Sequence, residues 1–242
     1  LETDPACRTN HMEYMEGMEQ INSDIMDKVL SQMDSYDYDS YTAVDVRRAL
    51  NSETCSVEDF KALLSPAAAP FLEEMAKKAK IETSKHFGNT VYLFTPLYIA
   101  NYCENYCVYC GFNCYNDINR KKLNADEIEH EMKVIADSGI EEILMLTGES
   151  RSASDVKYIG EACKLATKYF RNVGLEIYPV NSDEYKYLHE CGADYITVFQ
   201  ETYNSDKYET LHLMGHKRVF PYRFEAQERA IMGGMRGVGF SA

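Results

Sequence analysis

Three cysteines, Cys103, Cys107 and Cys110, stand in the stretch NYCENYCVYCGF at residues 101–112, and their type and spacing are the clearest capacity for chemistry in the chain. Spaced C-x3-C-x2-C, they sit on segments short enough to bend back around one soft metal centre. Cys114 follows four residues on, so a closed four-thiolate zinc site and a four-ligand iron-sulfur cluster both stay open on ligand count. Structural zinc sites usually draw on two separated ligand pairs, whereas this is one uninterrupted loop. Three protein ligands also leave the open metal position that a reactive site needs. The chain has eight cysteines in 242 residues, three clustered and the others scattered, and no charged-then-apolar leader pattern at its start. That distribution favours metal or redox chemistry over a disulfide framework.

The elements around the loop change character along the chain. Residues 1–14 match nothing that follows and read as an expression remnant, ending near His11-Met12, outside the fold. Residues 15–88 carry apolar residues at three- and four-residue spacing (Ile21, Ile25, Met26, Val29, Leu30, Met33) and a capping box from Ser56 to Asp59, which predicts an all-helical section without catalytic groups. After HFGN the period changes. The run TVYLFTPLYIA reads as a strand, and about five strand-helix units then alternate to the end: EILMLT, GLEIYPV, YITVFQ and GVGFSA are the later strands. The fold class is therefore α/β with a parallel sheet over residues 89–242, doubly wound or closed as a barrel. Ending on a strand, the chain is expected to be shorter than the natural protein and C-terminally incomplete as a barrel.

Charge sets further limits. Lys plus Arg total 25 against 39 Asp plus Glu, a net charge of -14, which repels a phosphate backbone and an anionic bilayer, so neither nucleic acid nor a membrane is expected as partner. No apolar run approaches the length of a membrane span, and the expected location is cytoplasmic.

The segment CENYCVYC resembles the C-x3-C-x-aromatic-C motif of the radical S-adenosylmethionine (radical SAM) enzymes. The resemblance implies a TIM-like (β/α) barrel and a 4Fe-4S cluster held by Cys103, Cys107 and Cys110. SAM would sit at the open iron, and Tyr109 would pack near its adenine. Thr147, Gly148 and Glu149 in LMLTGES resemble the family's Gly-Gly-Glu turn, with Thr in place of the first glycine; they would receive the SAM ammonium group. Glu176 on GLEIYP and Gln200 and Glu201 in VFQETY are further cofactor candidates, Glu201 for the ribose hydroxyls, and Arg223 would pair with the SAM carboxylate.

The wider text PLYIANYC, CVYCGF, NRKKL, LTGE, FQETYN and HLMGHK resembles the 2-iminoacetate synthases, tyrosine lyases of thiamine thiazole biosynthesis. That resemblance implies cleavage of the Cα–Cβ bond of L-tyrosine to 2-iminoacetate and p-cresol, with Tyr98 against the substrate. Thiazole synthase and a flavodoxin or ferredoxin reductant would be its partners. The tyrosine lyase that matures the iron-iron hydrogenase is the alternative within the family, and a non-catalytic iron-sulfur or zinc protein the alternative outside it.

Overall fold

The structure, a computed structural model, describes residues 8–241, and the chain divides into two compact units. One unit, residues 27–92, is helical. It comprises most of α1 (Ile25–Asp34) together with α2 (Ala43–Asn51), α3 (Val57–Leu64) and α4 (Leu72–Phe87). Its small core closes around Val46, Ala68 and Phe71. The Ser56–Asp59 capping box is formed, with the Asp59 amide donating to the serine hydroxyl at 3.1 Å.

The other unit contains residues 93–241 and also takes in the described segment before residue 27. Residues 8–14, expected to lie outside the fold, pack on it; residues 1–7 fall outside the described part. The Phe220 amide donates to the His11 carbonyl (2.9 Å), Arg218 Nε to the Thr9 carbonyl (2.8 Å) and the Tyr14 hydroxyl to Glu225 (2.6 Å). A little further on, Glu19 accepts from the Ser182 amide and hydroxyl at the start of a helix. Polar pairing with buried arginine and with a helix N-terminus fixes this segment, and a hydrophobic-period reading does not register such contacts.

The sheet of this unit has the order β1-β3-β4-β5-β7 and is parallel throughout. Its strands are β1 (Thr95–Ala100), β3 (Glu142–Thr147), β4 (Asn172–Glu176), β5 (Tyr195–Phe199) and β7 (Gly237–Ser241). The intervening helices are α5 (Ala125–Asp137), α6 (Val156–Ala166), α7 (Ser182–Glu190), α8 (Ser205–Leu211), α9 (Phe220–Phe224) and α10 (Ala226–Met232). Ile143, Leu144, Met145 and Leu146 are all buried on β3, the continuous apolar run of a strand covered on both faces. The first strand is shorter than its apolar run: Val91 to Phe94 are exposed and β1 begins only at Thr95. The helix expected around Arg223 is two short ones, α9 and α10. A two-stranded antiparallel ribbon, β2 (Tyr106–Cys107) with β6 (His212–Met214), was not foreseen. Among the described residues the five strands form an open sheet, and no helix is long and apolar enough to cross a membrane.

Parallel pairing brings the carboxyl ends of the strands to one edge. The β1–β3 register matches Tyr98 with Leu146, and the β3–β4 register matches Leu146 with Glu176. Each side chain at that edge comes from a different part of the sequence, and the sheet alone makes them neighbours.

Candidate active site

The cysteine loop leaves β1 and folds back over this edge. The Glu104 amide donates to the Glu149 carbonyl (2.9 Å) and the Gly148 amide to the Ala100 carbonyl (2.9 Å), tying the loop to the turn after β3. Gly148 is required there, because a Cβ would lie 2.1 Å from the Tyr102 carbonyl oxygen. The ribbon holds the other side: Cys107 pairs with His212, and the Val108 amide donates to the Leu211 carbonyl at 3.0 Å.

Asn105, 1 % exposed, joins these parts. Its Nδ2 donates to Glu149 Oε2 (2.8 Å) and its Oδ1 accepts from the Lys217 amide (3.0 Å). Gly215, at φ +89, makes room for it: a Cβ would come within 2.2 Å of Asn105 Oδ1. Only glycine combines the left-handed backbone with that approach.

The result is a cavity of about 670 Å³, its open mouth included, at the carboxyl edge of the sheet. Cys103, Cys107 and Cys110 line it together with Tyr98, Phe112, Thr147, Gly148, Glu149, Glu176, Glu201, Lys217 and Arg223. Ten of the twelve expected residues thus meet in one place. Tyr109 and Gln200 do not line it, and of Tyr109, Gln200 and Arg223 each is held differently from expectation. Gln200 is buried with Nε2 3.5 Å from the Phe220 carbonyl. Tyr109 turns its hydroxyl to His212 Nε2 (2.8 Å), and His212 Nδ1 lies 2.9 Å from the Tyr208 carbonyl. A carbonyl only accepts, so Nδ1 carries the proton and Tyr109 donates to Nε2. Burial and nearby Lys217 push His212 down to about 4, which keeps it neutral for that role.

Arg223 already has a partner. Its Nη1 bonds Glu149 Oε1 (2.5 Å) and its Nε bonds the Phe199 carbonyl (2.6 Å), while Nη2 has no hydrogen bond to another described residue. Burial alone would raise the Glu149 carboxyl, but Arg223 and then Lys217 outweigh it, and the carboxyl lies below the usual range. Glu201, at the unusual φ of +69 for a non-glycine residue, pairs with Lys217 Nζ at 2.8 Å. Strain of that kind concentrates at functional sites. Burial raises Glu176 above the ordinary carboxylate range. Tyr98 is half exposed and stacks edge-on against Phe112, ring centroids 5.5 Å apart.

The donor set fits an iron-sulfur cluster. The three thiols are free and face one cavity, and Cys114, the fourth thiol of the zinc reading, does not line it. Burial pushes Cys107 up to about 12 and raises Cys103, so each stays protonated until a cation displaces its proton. Thr147 Oγ1 is buried in the lining without a partner, the mark of a polar atom that awaits a ligand. Asn105, Lys217, His212 and Phe112 escaped the sequence reading. Asn105 and Phe112 lie inside or beside the cysteine motif and His212 and Lys217 in HLMGHK, but no spacing rule singles them out.

A parallel α/β sheet with a three-cysteine loop at its carboxyl edge defines an enzyme class built for an open iron-sulfur centre. The chain belongs to the radical SAM superfamily, whose family model matches residues 97–241 and whose members use a 4Fe-4S cluster and SAM. The 2-iminoacetate synthase of Escherichia coli K12 is 38% identical over 201 residues, 83% of this chain and 53% of that protein. The 3-methylornithine synthase of Methanosarcina acetivorans is 33% identical over 165 residues, 65% of this chain and 46% of that one. Among solved structures, HydG, a maturase of the FeFe-hydrogenase, matches with a TM-score of 0.81 at 28% identity, covering 90% of this chain and 50% of that one. The chain spans about half the length of the curated relatives it matches.

Proposed function

We propose that this protein is a radical SAM tyrosine lyase that cleaves the Cα–Cβ bond of L-tyrosine to 2-iminoacetate and p-cresol for thiazole formation. The observation that carries the reading is the single cavity uniting the three cysteines, the Thr147-Gly148-Glu149 turn, Glu201, Arg223 and the Tyr98–Phe112 aromatic pair. Identity of 38–39% to 2-iminoacetate synthases supports the choice of tyrosine. Cys103, Cys107 and Cys110 would hold the cluster, and with SAM it supplies the one-electron chemistry that yields a 5'-deoxyadenosyl radical. The chain's own residues do the positioning. Arg223 offers Nη2 to a carboxylate while its other nitrogens fix its plane. The Thr147 hydroxyl and the Gly148-Glu149 turn face an ammonium or a carboxylate. Glu201, held by Lys217, accepts hydroxyl donors. Tyr98 and Phe112 present apolar faces to an aromatic side chain and exclude water from it.

The open sheet is read as an arc of a TIM-like barrel. A helical section over residues 15–88 followed by a radical SAM unit from residue 89 completes the proposed domain organisation, and the unit boundary near residue 92 supports it. Thiazole synthase as the acceptor of an unstable imine, a flavodoxin or ferredoxin as reductant, and a cytoplasmic location belong to the same reading. The fold likeness to HydG favours a second reading, a lyase of hydrogenase maturation with the same substrate. The test is anaerobic reconstitution with iron and sulfide, then incubation with SAM, dithionite and L-tyrosine. The expected outcome is p-cresol and 5'-deoxyadenosine, both lost in Cys107→Ala. Deoxyadenosine without p-cresol would overturn the substrate.

A further inference from the structure

The charges of the cavity do not balance. Five ionisable side chains other than the thiols and Tyr98 line it: Glu149, Glu176 and Glu201 against Lys217 and Arg223. Both cations are committed, Arg223 to Glu149 at 2.5 Å and Lys217 to Glu201 at 2.8 Å. Glu176, the last residue of β4, has no hydrogen bond or ion pair with another described residue. Its neighbour in register is Leu146, and Tyr98 is close enough for its hydroxyl to feel the carboxylate. A carboxylate placed on a rigid strand end, half withdrawn from water and left without a donor, costs stability unless a ligand brings the missing cation.

We propose that Glu176 is the subsite for the α-ammonium group of an amino-acid moiety bound in this cavity. This rests on the reading of the cavity as an amino-acid-transforming radical SAM site and names which of its carboxylates meets the amine. Two molecules of that reading carry such a group, the free substrate and the methionine part of SAM. Burial holds the carboxyl above its ordinary range, and an adjacent ammonium reverses that by favouring the charged form. Glu149 and Glu201 each already have a cation against them, at 2.5 and 2.8 Å, whereas Glu176 has none.

The experiment is equilibrium dialysis on the reconstituted protein without reductant, so that no turnover occurs, with radiolabelled SAM and radiolabelled L-tyrosine in separate arms. In Glu176→Gln at least one of the two affinities is expected to fall about 10- to 100-fold, the range for a charge-assisted bond at a partly buried site. Glu176→Asp should recover part of the loss. A fall confined to tyrosine assigns the substrate amine, and 3-(4-hydroxyphenyl)propanoate, which lacks that amine, should then bind wild type and Gln variant alike. A fall confined to SAM assigns the methionine amine. Iron content and far-ultraviolet circular dichroism equal to wild type qualify each variant for comparison. Unchanged affinity for both ligands in Glu176→Gln overturns the proposal. Because wild-type p-cresol formation is read separately, a failure of the tyrosine reading is told apart from a failure of this one.

Discussion

Replacing Arg223 by Met removes a buried cation and keeps an unbranched apolar stem. The guanidinium contributes two short bonds, Nη1 to Glu149 and Nε to the Phe199 carbonyl, from a side chain that is 6 % exposed. Glu149 keeps only the Asn105 amide and the more distant Lys217. Breaking a buried pair from one side costs about 3–5 kcal/mol, because the remaining charge is stranded. The methionine returns about 1–2 kcal/mol of apolar burial at most, since part of its stem replaces the arginine's own. A net loss of about 1–4 kcal/mol is therefore expected, a large share of a stability of about 5–15 kcal/mol. The chain has no tryptophan and 19 tyrosines, so urea unfolding is followed by tyrosine fluorescence at pH 7. With a slope of about 2 kcal/mol per molar urea, the midpoint should drop by about 0.5–2 M. The double variant Arg223→Met with Glu149→Gln removes the stranded charge and should recover at least half of the loss. A single-variant loss below about 1 kcal/mol, or a double variant no more stable than the single, would refute the view that this pair is a desolvated, mutually dependent unit.

Further outcomes are expected at three places. In Gly148→Ala the new methyl meets the Tyr102 carbonyl at 2.1 Å, so the loop must shift; unfolding should show a loss of about 1–3 kcal/mol, and iron retained per chain after reconstitution should fall. Arg151 grips Glu184 with two bonds, at 2.8 and 3.0 Å, at the start of α7. Burial would raise the Glu184 carboxyl, but that grip and the Asn181 amide lower it, so its stabilisation is present above the unfolded value of about 4.3 and is lost as pH falls through the lower folded value. Accordingly, Glu184→Gln should cost about 1 kcal/mol at pH 7 and progressively less as pH falls below about 4, measured by urea unfolding across that range. His212→Phe keeps a ring on β6 but deletes the acceptor of the Tyr109 hydroxyl; the tyrosine absorption difference spectrum should show a more solvent-exposed phenol, and an unchanged spectrum would count against that bond.

Much of the site was legible before any coordinates. Three cysteines at fixed local spacing converge because the chain between them is too short to let them part, so their common place follows from sequence. Thr147, Gly148, Glu149 and Glu176 line the same cavity for a related reason: strand ends in βα units can be counted, and parallel strands present those ends on one edge. Tyr109 and Gln200 lie outside the lining because a residue's side of the edge is set by a partner distant in sequence, His212 for one and Phe220 for the other. Residues 8–14 were misjudged for their want of periodicity, although polar contacts to Arg218, Phe220 and Glu225 hold them.

By itself the sequence determined the class of chemistry and the α/β order of the unit that holds the site, since each depends on residue type and short-range period. Tertiary structure decided the pairing of charges. Asn105 bridges 44 positions to Glu149 and 112 to Lys217, and Arg223 reaches back 74 to Glu149. Contacts of that span leave no local pattern, because their energy is gained only once the sheet has brought both ends together. That is why Glu176 emerged as the carboxylate left without a described partner only after the others had been seen in place.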